Sequence, residues 1–285
     1  MERKPELLRN VALIGQGGSG KTSLAEAMLF NGKSTTRLGR VDDGTSSMDF
    51  EPEEVKRKIT LSSAIHHCDW KKNSINIIDT PGDYNFLSDT RFALQAADGA
   101  VVVLEATGGI KVGTEKVWSF ADEQGLPRII FINKLDRERA DFFKVVEEIS
   151  QTFDAKITPV ILPIGAEENF AGVVDLIRVK ARLFSKDGSG KTDNGEIPAD
   201  MEDSVAEWRE KMIENAVEVD DDLMEKYLEG EELTEKEIEE TLLKGVRSGA
   251  IVPVLCGSAT LNMGVTLLMD LVVDGLPAPT EKPAR

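Results

Sequence analysis

The sequence predicts an α/β fold in which a mostly parallel sheet is flanked by helices and interrupted by an inserted, acidic α+β subdomain. Three observations lead to this prediction. Buried-strand patterns alternate with helical patterns through residues 1–154 and again through residues 251–276. A glycine-rich turn joins the first strand pattern directly to a helix pattern. Between the two α/β portions, residues 155–250 carry most of the negative charge of the chain.

The strand candidates of the α/β portions are short, almost continuously apolar runs. Such runs are typical of strands that are covered on both faces. The predicted strands are residues 10–14, 75–79, 99–105, 128–133 and 251–255. The helical patterns that alternate with them are residues 21–30, 86–96, 114–124, 139–153 and 265–273. This alternation favours a parallel sheet.

Residues 31–57 interrupt the alternation with a polar stretch. Gly, Ser, Thr, Asp and Lys follow one another there without periodicity, which predicts a long mobile loop of the kind that is usually functional or disordered. An extended stretch at residues 59–69 is joined by a short polar turn to residues 71–79, and this predicts a β-hairpin. His66 and His67 lie on that hairpin and are expected to be half-exposed strand residues.

The inserted region has mainly helical patterns, at residues 201–219, 222–228 and 234–247. Thr234 and Glu237 predict a capping box at the start of the last of these helices. After the second α/β portion, the proline-rich residues 277–285 cannot continue a helix. They predict a linker toward a following domain.

The composition limits the classes to which the protein can belong. The chain has 285 residues, of which 41% are hydrophobic, so it can fill a core and wholesale disorder is excluded. No apolar run is long enough to span a membrane, and no apolar signal region follows Met1. Cys68 and Cys256 have neither disulfide nor metal-site spacing, which fits a reducing, cytoplasmic compartment.

The formal net charge of −17 argues against nonspecific binding to nucleic acid, because phosphate binding depends on Lys and Arg. The charge is uneven: residues 1–154 sum to −4, residues 155–250 to −12 and residues 251–285 to −1. Residues 195–240 alone carry −15. This acidic segment is either a set of solvated helix faces or a docking surface for a protein partner.

A phosphate-binding loop is predicted where Gly15-Gln16-Gly17-Gly18-Ser19-Gly20-Lys21-Thr22 joins the first strand to the first helix. This run fits G-x-x-x-x-G-K-[ST] in the required strand–loop–helix context. The glycines let backbone N–H groups surround a polyphosphate at the positive end of the helix. Lys21 is predicted to contact the β- and γ-phosphates, and the Thr22 hydroxyl to bind Mg²⁺. The predicted nucleotide-binding residues of this loop are Gly15, Gly17, Gly18, Ser19, Gly20, Lys21, Thr22 and Ser23.

A second Gly-Lys-Thr occurs at Gly190-Lys191-Thr192. The first position of its motif would be Ser185, and no helix pattern follows it. The glycines and Asp187 instead predict a hairpin turn or a mobile loop.

Two further motifs follow predicted strands. In Asp79-Thr80-Pro81-Gly82, Asp79 can hold Mg²⁺ through water and the Gly82 N–H can meet the γ-phosphate. Asn133-Lys134-Leu135-Asp136 ends the strand at residues 128–133. Asp136 can accept hydrogen bonds from the N1–H and the exocyclic amine of guanine, which adenine does not offer.

The last motif, Gly257-Ser258-Ala259, can supply a backbone N–H to the guanine oxygen. Each short motif alone is weak evidence. Four motifs in this order, each at the carboxyl end of a predicted strand, predict binding of GTP and GDP, because ligands of open α/β sheets bind at that edge.

With these motifs, the chain resembles the translational GTPases, most closely elongation factor G and its paralogues, over nearly all its length. Residues 42–50 resemble the first switch segment of that family, and Arg57-Lys58-Ile59-Thr60-Leu61 is similar to its Arg-Gly-Ile-Thr-Ile. Residues 162–167 and 226–232 resemble parts of the insertion called G′ in elongation factor G. Residues 253–259 resemble the return to the core.

The resemblance implies a P-loop NTPase G domain at residues 1–154 and 251–276, a G′-like insert at residues 155–250, and further domains elsewhere in a longer factor. It implies GTP hydrolysis with Mg²⁺ held by Thr22, Thr60 and Asp79. GTP would order residues 31–60 and the segment after Asp79. It also implies a cytoplasmic factor that binds the ribosome and no membrane, with the ribosomal stalk contacting residues 195–240. The domain itself is expected to be monomeric.

Three positions depart from the family pattern. Asp83 stands in place of the histidine credited with orienting the attacking water, Gly18 in place of Asp, and Lys58 in place of Gly. Asp83 could orient water by accepting a hydrogen bond, but it adds negative charge beside an anionic phosphate, which predicts slow intrinsic turnover. The catalytic candidates are Lys21, Thr60, Gly82 and Asp83.

Two functions therefore remain open: a GTP-hydrolysing translation factor, and a GTP-dependent switch or scaffold that hydrolyses little. A small-molecule kinase is disfavoured because it would not need the base-recognition motifs. Arg137 and Arg139 follow the base-recognition motif and are expected to lie far from the γ-phosphate, so no arginine finger is predicted. The tryptophans are expected to be packing residues; they are Trp70, Trp118 and Trp208.

Overall fold

A computed structural model describes residues 4–281 of the chain. The strands are β1 (Leu8–Ile14), β2 (Ala64–Trp70), β3 (Asn73–Asp79), β4 (Gly99–Glu105), β5 (Arg128–Asn133), β6 (Lys156–Pro159), β7 (Ile161–Ile164), β8 (Gly172–Asp175), β9 (Lys180–Phe184), β10 (Thr192–Gly195) and β11 (Ile251–Cys256). The α-helices are α1 (Lys21–Asn31), α2 (Pro52–Arg57), α3 (Leu87–Ala93), α4 (Val112–Glu123), α5 (Phe142–Thr152), α6 (Glu202–Val217), α7 (Asp221–Leu228), α8 (Glu235–Ser248) and α9 (Val265–Gly275).

The main sheet has seven strands in the order β2-β3-β1-β4-β5-β11-β6. Every neighbouring pair is parallel except the β2–β3 hairpin. All of β11, and all of β4 except Glu105, is buried, as expected for strands covered on both faces. The predicted mostly parallel α/β fold is therefore confirmed.

The sequence predicted most element bounds closely. β4 and β5 have the predicted bounds, and most other elements differ by one or two residues at either end. The hairpin that carries His66 and His67 is present: His66 is half-buried and His67 is exposed. The capping box of α8 is also present, since Thr234 accepts a hydrogen bond from Glu237 N and the Glu237 carboxylate accepts one from Thr234 N.

Two predicted helices are shorter than expected. The helix predicted at residues 86–96 is α3 with a 3-10 turn on each side, Tyr84–Phe86 and Leu94–Ala96. The helix predicted at residues 139–153 begins only at Phe142, because Arg139 has a positive φ of 66° that no α-helix accommodates. Asp141 caps this helix by accepting a hydrogen bond from Lys144 N at 3.0 Å.

The prediction of an unstructured loop at residues 31–57 is wrong for its last six residues, which form α2. Pro52 occupies the first turn of this helix, and Glu51 and Glu54 form a capping box. The extended stretch predicted from residue 59 pairs in the sheet only from Ala64, because the N–H groups of Leu61 and Ser62 bind the Glu54 carboxylate instead.

The inserted region contains an antiparallel sheet of four strands in the order β10-β9-β8-β7, followed by α6, α7 and α8. Lys156–Pro159, which the predicted boundary at residue 155 assigns to the insert, pairs with β11 at the edge of the main sheet. Helix α6 lies along this edge strand, where Asn215 Nδ2 donates to Thr158 Oγ1 at 3.0 Å and Glu218 pairs with Lys156.

The second Gly-Lys-Thr lies in the β9–β10 hairpin connection, as predicted. This turn contacts the core: Asn262 donates to Gly188 O at 3.0 Å and exchanges two amide hydrogen bonds with Asn31 at the end of α1. A Cβ at Gly190 would lie 2.6 Å from Asn31 Oδ1, so the close approach requires glycine.

The three tryptophans pack as predicted. Trp118 is buried and stacks on Phe153 with 4.0 Å between ring centroids. Trp208 and Trp70 are partly buried against the core. The indole N–H of Trp70 also donates to Asp270 at 2.7 Å, which joins the β2–β3 hairpin to α9.

Cys68 and Cys256 are buried free thiols, and burial raises the pKa of both. After α9, Leu276 and Ala278 are buried, and Glu281 accepts a hydrogen bond from Ala278 N at 2.7 Å. The described part of the predicted linker therefore packs on the core, and its last four residues lie outside the described range. Among residues 4–281, none of the helices has the length and apolar character needed to cross a bilayer.

Candidate functional site

A cavity of about 890 Å³ lies at the carboxyl edge of the main sheet. The predicted site residues divide into two groups around it. Those that line the cavity are Gly17, Gly18, Gly20, Lys21, Thr22, Ser23, Thr60, Gly82, Asp83, Lys134, Asp136 and Ala259. Those that lie outside this lining are Gly15, Ser19, Asp79, Asn133, Gly257 and Ser258, all of which are buried. The parallel strands thus bring the four motifs together, as predicted from their order.

Glycines shape the phosphate-binding loop. A Cβ at Gly15, where φ is 146°, would lie 2.4 Å from Val103 O, and a Cβ at Gly20 would lie 2.3 Å from Asn133 Nδ2. Gly20 precedes α1 in the left-handed region and provides no side-chain cap, so the first N–H groups of the helix point toward the cavity without a capping side chain. The loop therefore has the geometry of an anion site.

Lys21 is buried and its ammonium donates to Gly15 O at 3.0 Å and to Gln16 O at 2.9 Å. Burial lowers the pKa of Lys21, while the negative charges of Asp79 and Asp49 oppose that shift. A Cβ at Gly82 would lie 2.3 Å from Lys21 Nζ, so this glycine brings the segment after β3 directly against the lysine. Lys21 is thus a buried cation at the floor of the cavity.

Oxygen atoms from three segments meet beside Lys21. The Thr22 hydroxyl donates to Asp79 Oδ2 at 2.7 Å and lies 2.9 Å from the Thr60 hydroxyl, which donates to Asp49 Oδ1 at 2.8 Å. Asp79 Oδ1 and Asp49 Oδ2 are buried without a hydrogen-bond partner. Burial raises the pKa of both carboxyl groups.

This donor set fits Mg²⁺, which prefers carboxylate and hydroxyl oxygens and leaves room for water and phosphate oxygens. The two orphaned carboxylate oxygens are what a cation would satisfy. Among residues 4–281, no group of three His, Cys, Asp or Glu side chains forms a metal site of another kind. Asp49 received no role from the sequence, because only the fold brings it within hydrogen-bond distance of Thr60.

Asp83 lines the cavity but is engaged in local structure. Its Oδ1 accepts hydrogen bonds from Asn85 N at 2.9 Å and from Asn85 Nδ2 at 2.8 Å, which caps the 3-10 turn Tyr84–Phe86. Capping is thus a second reason for an acidic residue at this position, and it was not predicted from the sequence. The signal was the spacing of Asp83 and Asn85, which is typical of a side-chain-capped turn.

At the other end of the cavity, Asn133 joins two motifs. Its Nδ2 donates to Ser19 O at 2.9 Å and its Oδ1 accepts from Ala259 N at 2.9 Å. Lys134 pairs with Glu105 at 2.9 Å. Asp136 Oδ1 is buried without a partner, although its Oδ2 lies 3.7 Å from Arg137. Asp136 is therefore the acceptor at this end that a ligand would satisfy.

The segment from Gly257 to Ala259 lies beside Asp136 but uses its N–H groups internally. Gly257 N donates to Ile132 O at 2.9 Å, Ser258 N to Met263 O at 3.0 Å, and Ala259 N to Asn133. The predicted N–H donor to a guanine oxygen would have to be shared with one of these bonds, so that role stays a prediction. Arg137 lines the cavity beside Asp136, and Arg139 is exposed next to Glu138.

Three features meet at the carboxyl edge of the parallel sheet: a glycine loop at a helix N-terminus, a buried lysine and an oxygen cluster suited to Mg²⁺. Together they define a P-loop nucleotide-binding protein. Residues 6–278 match the family described as the elongation factor Tu GTP binding domain. The chain belongs to this family and is a GTPase domain of the translational GTPases.

A solved structure from Thermus thermophilus is similar to this chain, with 35% sequence identity and a TM-score of 0.90. The match covers 97% of this chain and 41% of the Thermus chain. This chain therefore spans less than half the length of that relative. The recognition of a translational GTPase of the elongation factor G type, predicted from the sequence, is confirmed by the two comparisons together.

Proposed function

We propose that the chain is the GTP-binding and GTP-hydrolysing part of an elongation factor G-like translation factor that acts on the ribosome in translocation, recycling or a related step. One observation carries this proposal. Lys21, Thr22 and Thr60 line one end of the cavity, where Thr22 contacts Asp79, and Asp136 at the other end has one buried oxygen without a partner.

Different residues along the cavity would bind the phosphates, the Mg²⁺ and the base. Lys21 places its charge against the β- and γ-phosphates, and the N–H groups at the start of α1 bind phosphate oxygens. Thr22, Thr60 and Asp79 would hold Mg²⁺, with Asp49 orienting Thr60 through its hydrogen bond. When bound, Mg²⁺ neutralises charge on the β- and γ-oxygens. Asp136 accepts the guanine N–H groups, and an adenine would leave its carboxylate unpaired.

Nucleotide binding is tested by titrating this chain with a non-hydrolysable GTP analogue, GDP and ATP, each with Mg²⁺ and with EDTA. We expect binding of both guanine nucleotides, no comparable binding of ATP, and weaker binding in EDTA. Equal affinity for ATP would contradict the base-recognition role of Asp136.

A second candidate function is a GTP-dependent switch that hydrolyses slowly or not at all, and Asp83 is the observation that favours it. Its oxygen is held by Asn85, and its charge lies near the predicted γ-phosphate position, where phosphoryl transfer needs neutralisation. Single-turnover phosphate release by the full-length protein, measured with and without ribosomes, distinguishes the two candidate functions. GTP binding without any turnover would contradict the proposal that the protein hydrolyses GTP.

The Asp83→His variant is the sharper probe, with Asp83→Asn as the control that removes the charge and keeps one acceptor oxygen. We expect Asp83→His to release phosphate faster than both other forms. If its rate does not rise, the missing histidine is not what limits hydrolysis.

The acidic insert supports a partner proposal: residues 195–240 dock a protein of the ribosomal stalk. Glu231 and Glu232 are exposed on this segment. Reversing both to Lys should weaken stalk-dependent activation and leave GTP affinity unchanged, whereas the same change at Glu115 and Glu147, exposed on the core, should affect neither. Equal loss in both variants would indicate general electrostatics rather than docking. We also expect a monomeric domain and a cytoplasmic location.

A further inference from the structure

Two buried glutamates with no role predicted from the sequence hold residues 38–62, which include the switch-like residues 42–50 and Thr60 and are called the first-switch segment below. Glu26 lies on α1, outside the segment, and Glu54 lies on α2, within it; each is 1% exposed. Among residues 4–281, neither carboxylate forms an ion pair with a Lys or Arg side chain. A buried carboxylate without a cation persists only where several donors satisfy it, so the donors identify what each glutamate holds.

The Glu26 donors all come from one turn of the first-switch segment. Glu26 Oε1 accepts from the Ser46 hydroxyl at 2.9 Å, from Ser47 N at 2.5 Å, from the Ser47 hydroxyl at 2.9 Å and from Met48 N at 3.1 Å. On the other side, a Cβ at Gly39 would lie 2.2 Å from Glu26 Oε2. The segment therefore wraps around this carboxylate, and the turn it fixes leads directly into Asp49.

The Glu54 donors lie on the other side of the metal-facing residues. Glu54 Oε1 accepts from Leu61 N at 2.8 Å and from Ser62 N at 3.1 Å, and its Oε2 accepts from Glu51 N at 3.2 Å. The bonds from Leu61 N and Ser62 N fix the two residues that follow Thr60, and the bond from Glu51 N is part of the capping box of α2. Glu26 thus fixes the chain just before Asp49, and Glu54 fixes it just after Thr60.

Between the two anchors, Asp49 and Thr60 are hydrogen-bonded to each other at 2.8 Å, and Thr60 lies 2.9 Å from the Thr22 hydroxyl. Charge-assisted hydrogen bonds to a carboxylate are roughly twice as strong as neutral ones, so the two anchors offset part of the conformational entropy that is lost when this segment is ordered. The geometry makes the position of Thr60 depend on both glutamates, although neither lines the cavity.

We infer that Glu26 and Glu54 are positioning residues that set Thr60 and Asp49 against the Mg²⁺ of a bound nucleoside triphosphate. This inference rests on the proposed function. Thr60 is expected to act only when a γ-phosphate is present, so loss of either anchor should weaken triphosphate binding selectively. A purely structural role would lower the affinities for GDP and for the triphosphate together.

The test compares Glu26→Gln and Glu54→Gln with the wild type, and Glu53→Gln is the matched control, since Glu53 is an exposed neighbour that pairs only with Arg57. Affinities for a non-hydrolysable GTP analogue and for GDP are measured in Mg²⁺. We expect each variant to lose about tenfold in affinity for the analogue, equivalent to about 1.4 kcal/mol, with GDP affinity within about twofold of wild type. The control should match wild type for both ligands.

Equal losses for the two nucleotides, or no loss for either, would overturn the inference. A wild-type chain that binds no guanine nucleotide would instead overturn the proposed function, so the two failures are distinguishable. If Glu26→Gln does not fold, the double variant Ser46→Ala/Ser47→Ala removes side-chain donors from the same contact and leaves the carboxylate in place. It should show the same selective loss, and its absence would count against Glu26.

Discussion

Charges in the nucleotide cavity and charges in the insert are arranged in opposite ways. In the cavity, Asp79, Asp49 and Asp136 are buried or nearly so, and each keeps an oxygen without a partner. In the insert, most charged side chains lie at the surface, and some of them pair with one another, as in Lys226–Glu237 at 2.7 Å and Lys244–Asp220 at 2.8 Å.

The difference follows from the cost of removing charge from water. A buried, unpaired carboxylate is expensive, so its retention indicates a ligand that supplies the missing partner. Exposed pairs cost little and contribute little, because solvent and salt screen them. In this chain, the buried carboxylate oxygens without a partner therefore identify the site, and the large charge of the insert does not.

The largest expected effect is the loss of nucleotide affinity when Lys21, the buried cation of the cavity, is removed. Replacing Lys21 with Ala should lower affinity for a GTP analogue by about a hundredfold, equivalent to about 2.7 kcal/mol, because the phosphates lose their only buried lysine partner in this loop. Lys191→Ala is the matched control: it removes the lysine of the second Gly-Lys-Thr, and Lys191 is exposed. Titration of both variants checks this, and an effect at Lys191 would undo the assignment of the phosphate loop.

The next effect concerns the opposite end of the cavity. Asp136→Asn should lower GTP affinity by about 10- to 100-fold, because a guanine N–H group that is buried without an acceptor costs about 1–3 kcal/mol. ATP affinity should stay as it is, so the ratio of GTP to ATP affinity is the measurement. Glu138→Gln, at a side chain that is 86% exposed nearby, should leave that ratio unchanged.

One carboxylate of the insert sharpens the comparison because it is buried and paired. Asp175, with a side chain 8% exposed, accepts from Arg178 at 3.3 Å and from Arg182 at 3.2 Å. Asp175→Asn should lower stability by about 1–3 kcal/mol, seen as about 2–4 °C in Tm for each kcal/mol, with GTP affinity unchanged. Asp193→Asn on the exposed edge of the same sheet should change neither quantity, and a loss of GTP affinity in Asp175→Asn would mean that the insert shapes the cavity directly.

The smallest effect concerns an exposed pair. The hydrogen bond from Lys226, with those from Thr234, lowers the pKa of Glu237 from 4.5 to about 2. Because the folded-state pKa is lowered, the contribution to stability is present above pH 4.5 and is lost as the pH falls through about 2. Denaturation of wild type and Glu237→Gln across this pH range should show a small difference that disappears at acidic pH and in about 1 M salt. A difference that salt does not reduce would show that the pair is not screened as its exposure implies.

The sequence sufficed for the features that depend on local spacing. The phosphate loop, the strand ends that carry Asp79 and Asn133, and the capping box at Thr234 could all be predicted, because each depends on residues within a few positions of one another. Positive φ at Arg139, which shortened α5, could not be inferred from a helical pattern that fits the residues on either side.

Other site features depend on contacts across the chain. Asp49 and Thr60 are eleven positions apart, and they meet in a segment whose backbone N–H groups bind the carboxylates of Glu26 and Glu54. Asn133 was predicted as a nucleotide-binding residue of its motif, and its contacts to Ser19, 114 positions before it, and to Ala259, 126 positions after it, depend on the fold. Pairing of Lys156–Pro159 with β11 was hidden for the same reason: its partner strand lies beyond the whole insert.

Helix α6 has a consequence for the behaviour of the chain at high concentration. β6 is the last strand of the main sheet, and an uncovered edge strand is a template for pairing with another molecule. Asn215 and Glu218 bind the side chains of Thr158 and Lys156, so α6 covers one face of this edge strand. A G domain trimmed of residues 160–250 would lose this cover together with most of its mutual repulsion, so we expect it to self-associate where the intact chain stays dispersed.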